Sequence, residues 1–162
     1  MDRNRKLVVS VFGAMVALLI GILALAQVVR ASPSSQPENI FGSWSVDVTT
    51  KTQNTQFPSL LTFTADGAVL ADEPPLPGET TGHGNWVRRS HGEVGFTFVA
   101  LLADPNGVYT GKLKVSGTLR RDAGKDTWSG PFKITIFDAS NQVVLVDTGT
   151  FKATRIEVEP LD

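Results

Sequence analysis

The clearest pattern in this sequence is the stretch 108–121, VYTGKLKVSGTLRR, in which apolar or small residues alternate with polar ones. Successive side chains of a β-strand point to opposite faces, so this alternation predicts a strand with one buried and one solvated face. Such strands are typical of antiparallel sheets. The predicted inward residues are Tyr109, Gly111, Leu113, Val115, Gly117 and Leu119.

The same period of two, interrupted by turn signals, continues on both sides of this stretch. Asp66-Gly67 predicts a tight hairpin, and residues 73–82, with three prolines and two glycines, predict an irregular loop. Strands joined mostly by short turns favour an all-β, eight-stranded antiparallel up-and-down barrel, although a two-sheet sandwich would give the same local signals. The predicted strands are 42–50, 57–65, 68–72, 83–90, 93–103, 108–121, 126–139 and 142–159.

The N-terminal 31 residues read as a hydrophobic signal peptide or signal anchor. Arg3, Arg5 and Lys6 precede an uncharged apolar run, residues 7–26, which ends in a small-x-small cleavage pattern and is also long enough to span a bilayer. Both interpretations place the rest of the chain outside the cytoplasm, either secreted or anchored in the membrane by the N-terminal segment. Residues 32–39 form a Pro/Ser-rich linker, and residues 40–160 form the barrel domain.

Composition excludes several classes of site. The chain contains no cysteine, so neither disulfides nor thiolate chemistry is available to it. Its formal net charge of −1, without a basic stripe, argues against a nucleic-acid partner. Two histidines, His83 and His91, do not supply the three or four converging ligands that a metal needs. We therefore expect no metal and no cofactor.

Residues near the two ends of the predicted barrel resemble the lipocalin and calycin family. Gly42-Ser43-Trp44 opens the first strand in the manner of the G-x-W motif of that family, and Arg155 lies on the last strand. The resemblance implies that Trp44 plugs the closed end of a lipocalin-like barrel and that Arg155 lies across it. A guanidinium stacks well on an indole ring and binds free backbone carbonyls. Gly42, Trp44 and Arg155 are thus expected to form a structural barrel base.

The interior of the predicted barrel leaves two interpretations open. Gly111 and Gly117 leave room for a ligand in the lumen, or they allow tight coiling of strands whose aromatic side chains fill the core. On the first interpretation, the lumen opens at the end away from Trp44, near the loop 73–82. The ligand-binding residues would then be Phe63, Trp86, Phe96, Phe98, Tyr109, Leu113 and Phe132.

Three classes of function are compatible with this architecture. The first is an exported lipocalin-like barrel that binds a small hydrophobic ligand in its lumen and contacts the membrane only through residues 7–26, if these are not cleaved. The second is a structural or protein-interaction module of the cell envelope. The third is a cyclase or isomerase with His83, Arg89 and Tyr109 as its polar groups, although no catalytic motif is present and we expect no catalytic residues.

A second resemblance points to bacteria. The stretches 60–67, 82–86 and 153–156 are similar to a family of small exported bacterial proteins with no assigned activity.

Overall fold

The computed structural model describes residues 40–52, 54–74 and 78–161, and the domain that begins at Ile40 forms a compact unit of its own. The predicted signal or anchor segment and the linker lie outside the described residues. In the described part of the chain, no helix is long and apolar enough to cross a membrane. The strands are β1 Gly42–Thr50, β2 Gln56–Phe63, β3 Ala68–Asp72, β4 Gly82–Arg88, β5 Val94–Ala103, β6 Tyr109–Arg121, β7 Thr127–Asp138 and β8 Val143–Arg155.

The eight strands form one closed barrel in which each strand pairs antiparallel with its neighbour in sequence. β1 also pairs with β8, along a seam that runs from Trp44 opposite Arg155 to Thr50 opposite Gly149. The prediction of an all-β, eight-stranded antiparallel barrel is therefore confirmed, and the sandwich alternative is wrong. Strand bounds differ from those predicted by a few residues, most at the end of β8, where pairing stops at Arg155 rather than at residue 159.

The direction of the strands gives the barrel two distinct ends. The β2–β3, β4–β5 and β6–β7 turns lie at one end with the start of β1, and we call this end the base. The β1–β2, β3–β4, β5–β6 and β7–β8 connections lie at the other end, which we call the mouth. The loop 73–82 therefore belongs to the mouth, as predicted.

The alternation seen in the sequence sets which side chains fill the barrel. In β1, Trp44, Val46 and Val48 are buried whereas the intervening Ser45 and Asp47 are exposed. The other strands contribute inward residues in the same way to one continuous core. Its largest fully buried members are Trp44, Phe63, Phe98, Ile40, Leu61 and Leu119.

Candidate functional site

Trp44 and Arg155 close the base across the β1–β8 seam. The Trp44 ring is fully buried, and its Nε1 donates a hydrogen bond of 2.8 Å to the Ile40 carbonyl. The Arg155 guanidinium carbon lies 4.2 Å from the centre of that ring, which is a stacking distance. First and last strands are thus joined by a cation–π contact at the end opposite the mouth.

Arg155 also connects three segments of the base by hydrogen bonds. Its Nη1 donates to the Phe41 carbonyl at 2.7 Å, and its Nε donates to Asp126 Oδ2 at 2.6 Å in a salt bridge. Gly42 is fitted to this arrangement, because its φ is +111° and an added Cβ would lie 2.9 Å from Arg155 Nη1. The base is therefore held together by contacts among β1, β8 and the β6–β7 turn.

The structure brings six of the seven predicted ligand residues into one buried cluster. Phe63, Trp86, Phe96, Phe98, Leu113 and Phe132 are each at most 7% exposed. The rings pack on one another. Phe96, for example, lies 6.0 Å from Phe63 and 6.2 Å from Phe98 between ring centres. The five aromatic residues fill the lower and middle part of the barrel, and Leu113 lies above them, opposite Ala100.

Aromatic rings occupy the space above two of the inward glycines, Gly117 and Gly149, whereas an added Cβ at Gly111 would lie 2.0 Å from the backbone oxygen of Phe137. Gly117 lies directly opposite Phe96 on one side and Phe132 on the other, and an added Cβ would lie 2.6 Å from Phe96 Cζ. The same holds at Gly149, where an added Cβ would lie 2.5 Å from Phe132 Cζ. Of the two interpretations of the interior, the filled one describes Gly117.

Tyr109 does not lie with the other six. A bulge at Thr110 shifts the β5–β6 register, so that Gly111 pairs with Leu102 but Tyr109 pairs with Ala103. Opposed residues of an antiparallel pair point to the same face, and Ala103 follows the inward Leu102, so Tyr109 is directed outward. Its side chain is 48% exposed, and its predicted inward position is wrong.

The mouth is lined differently from the base. An inward cross-strand row runs from Ala100 through Leu113 and Ile136 to Leu145. Ala100 and Leu113 are buried, Ile136 is partly buried, and Leu145 is 37% exposed, so the row emerges from the core towards solvent. Leu102, Ile134 and Phe57 are likewise only partly buried. The wall of the mouth formed by β5–β8 is therefore largely apolar and incompletely covered, with one inward carboxylate, Asp147 opposite Ile134.

Two carboxyl groups lie in the β3–β4 connection at this end of the barrel. Glu79 pairs with the inward Leu102, and Glu73 follows β3 in the inward phase of Val69 and Ala71. Both line a cavity of about 190 Å³ beside the mouth. Glu79 Oε2 is buried and accepts no hydrogen bond from the described residues. Burial, and secondarily the Glu79 charge, raises the pKa of Glu73 to about 7, and burial also raises the pKa of Glu79.

Comparisons with known proteins find no match to this chain among family models, curated proteins or solved structures. The closed eight-stranded barrel is consistent with a lipocalin-like architecture. A shared fold does not by itself define a function.

The three polar residues considered for a cyclase are not brought together. His83 is exposed on the outer wall between Leu70 and Val99, Tyr109 points outward at the mouth, and Arg89 lies at the base. His91 lies in the short 3-10 turn Ser90–Gly92 with a φ of +62°. Among the described residues, no group of three histidine, aspartate or glutamate side chains could hold a metal ion.

The sequence did not single out Glu73 and Glu79, because both lie in the Pro-rich loop 73–82 and belong to no recognisable motif. The available signal was that Glu73 continues the inward phase of β3 by one step, which places a carboxylate where an apolar residue is the rule. The position of Glu79 depends on a long-range bridge to Leu102, which no local pattern reveals.

Proposed function

We propose that this domain is an extracytoplasmic, lipocalin-like barrel that binds a small, largely apolar molecule at its mouth. The proposal rests on the row from Leu113 through Ile136 to Leu145. Along this row, apolar inward side chains become increasingly exposed to solvent above a filled core. Clustered apolar surface that is exposed to solvent marks interaction sites, ligand-binding sites among them. The ligand would rest on the aromatic cluster rather than within it, because that part of the barrel is full.

The polar side of the mouth supports a ligand with one polar end. Glu73 and Glu79 line a cavity in the β3–β4 connection beside the mouth, and the buried Glu79 Oε2 lacks a donor from the described residues. A hydroxyl, amide or amine of the ligand would supply that donor and fix its orientation. The location outside the cytoplasm rests on the sequence, in which Arg3, Arg5 and Lys6 precede the apolar run 7–26.

Two adjacent leucines of β5 provide the test. Leu102 is partly buried and faces the mouth, whereas its neighbour Leu101 is 51% exposed on the outer wall. We expect the domain to bind the neutral fluorescent probe N-phenyl-1-naphthylamine saturably. Leu102→Ser should weaken that binding about tenfold, because it removes roughly 1.5 kcal/mol of apolar contact.

The matched control is Leu101→Ser, which makes the same chemical change on the opposite face. Its probe affinity should remain that of the wild type, and circular dichroism should show both variants folded. The absence of saturable binding by the wild type, or an equal loss in both variants, would overturn the proposal.

A further inference from the structure

The outer surface of β5–β8 near the mouth combines lysine with exposed apolar side chains. One cross-strand row on this surface reads Leu101, Lys112, Phe137 and Val143. The row beneath it reads Val99, Lys114, Thr135 and Val146, and Lys133 lies opposite Ser116 and Thr148 in the third row. We call these rows the outer β5–β8 face.

The apolar members of this face are left in solvent to an unusual degree for a sheet of a single domain. Leu101 is 51% exposed, Val143 56% and Val146 49%. The outward Tyr109 adds a ring that is 48% exposed at the rim. Large apolar side chains clustered at one end of a barrel, rather than scattered singly, mark an interaction surface.

The charged side chains within these three rows are Lys112, Lys114 and Lys133. Lys112 Nζ and Lys114 Nζ lie 5.1 and 5.5 Å from the centre of the Phe137 ring, so both ammonium groups gather around the aromatic side chain. β5 and β6 contain no acidic residue. In β7 and β8, the Asp138 and Asp147 carboxylates accept hydrogen bonds from the backbone of the β7–β8 turn and from Thr52.

We propose that the outer β5–β8 face docks onto an anionic lipid surface. At the headgroup boundary of a bilayer, apolar and aromatic side chains enter the acyl region while lysines extend their ammonium groups towards lipid phosphates. The alternation of Leu101, Lys112, Phe137 and Val143 within one row supplies both kinds of contact. An acidic protein would pair with the lysines but would leave the exposed valines and Leu101 without an equivalent partner.

The length of chain before the barrel favours the same occupant. The apolar run 7–26 is long enough to span a bilayer, and residues 27–39 separate it from Ile40. Thirteen residues reach at most about 45 Å, so a bilayer that held the run would also hold the barrel near its surface at high effective concentration. Docking of the face adds a contact to the one expected from residues 7–26 alone.

The test uses the barrel without the N-terminal segment, since the barrel closes on itself around its own core. We expect residues 40–162 to sediment with vesicles of phosphatidylglycerol and phosphatidylcholine, but not with vesicles of phosphatidylcholine alone. The triple variant Lys112→Gln, Lys114→Gln, Lys133→Gln should bind on the order of 100-fold more weakly, at about 1 kcal/mol for each lysine near an anionic surface.

The matched control removes the same charge elsewhere. Lys51, Lys125 and Lys152 lie outside the outer β5–β8 face, and their replacement by glutamine should reduce binding only slightly. Val146→Ser should weaken binding without changing its dependence on salt, and circular dichroism should show every variant folded. Equal loss in both triple variants, or equal binding to the two kinds of vesicle, would refute the docking. A dimer in sedimentation velocity that Val146→Ser dissolves would instead assign the face to a second copy of the chain.

Discussion

Gly117 lies between two phenylalanines, and its missing side chain gives the Phe96 ring its place in the core. An added Cβ would lie 2.6 Å from Phe96 Cζ and 3.2 Å from the Pro131 carbonyl oxygen. The first contact is shorter than van der Waals packing permits, so the ring would have to move within a closed barrel. Small residues opposite large ones are a general means of filling a barrel without strain.

We therefore predict that Gly117→Ala destabilises the domain by about 1–3 kcal/mol, the usual cost of overpacking a filled core. Urea denaturation followed by tryptophan fluorescence measures this change. Ser116→Ala is the control, because Ser116 is the next residue and faces outward, and it should change the free energy of unfolding by less than about 0.5 kcal/mol. A Gly117→Ala variant as stable as the control would mean that the barrel has room at this level.

Residue roles were predictable where the sequence resembles a known family. Gly42-Ser43-Trp44 and Arg155 match the lipocalin pattern, and that resemblance implied the stacked pair, which guanidinium and indole form favourably. The ring above Gly117 was not predictable, since a glycine on an inward phase is compatible with an open lumen and with a covered one. Which of the two occurs depends on the rotamer of Phe96, a residue 21 positions away.

At the scale of the strand, the bulge at Thr110 decides which face receives Tyr109. The β5–β6 pairing is regular from Val94 to Leu102, and Thr110 is the extra residue that separates Gly111 from Tyr109. Gly111 accommodates the bend with a φ of +153°. One additional residue therefore moves an aromatic side chain from the predicted interior to the outer wall.

This geometry predicts that deletion of Thr110 is tolerated. Removing the extra residue leaves Tyr109 opposite Ala103 in a regular ladder, so we expect a folded barrel within about 1 kcal/mol of the wild type. Deletion of Ser116 from the regular part of β6 should unfold the domain, because it turns the strand's remaining inward residues to the outside. Thermal denaturation of both deletion variants distinguishes these outcomes, and an unfolded Thr110 deletion would contradict the assigned bulge.

The elements themselves could be read from the sequence almost completely. Alternation identified all eight strands, because a half-buried strand has to repeat every two residues, and turn residues such as Asp66-Gly67 located the breaks. The two bulges could not be predicted, because no side chain at Thr110 or beside Phe137 indicates a bulge in the sequence. For the same reason, the outer β5–β8 face could not be assembled from single-strand patterns.

For the molecule as a whole, buried and hydrogen-bonded carboxyl groups make stability depend on pH in opposite directions. Hydrogen bonds lower the pKa of Asp122 and that of Asp147 below the ordinary 3.8. The largest contribution comes from the Ser129 side chain at Asp122 and from the Thr52 side chain at Asp147. Their contribution to stability is present above that value and is lost as the pH falls.

Glu73 has the opposite effect on the pH dependence of stability. Between its ordinary pKa of 4.5 and its folded pKa of about 7, the folded state retains a proton that the unfolded chain has released, so stability decreases as pH rises.

We predict that Glu73→Gln raises the free energy of unfolding by about 3 kcal/mol at pH 8 and changes it little at pH 4. The neutral amide removes the cost of burying a charge beside Glu79. Urea denaturation at the two pH values checks this difference, with the exposed Glu157→Gln as the control. An equal effect at both pH values would show that packing, and not ionisation, limits stability at this position.

The seam between β1 and β8 has a consequence for the order in which the domain folds. The hydrogen bond from Arg155 to Phe41 joins residues that are 114 positions apart, and β8 is the strand that covers the second edge of β1. One edge of β1 therefore stays unpaired until β8 has been synthesised and has reached it. Loop closure over that separation makes this step slow. During this interval, the open edge can pair with the same edge of another chain. Closure of the barrel therefore depends on β8, the last of its eight strands in sequence.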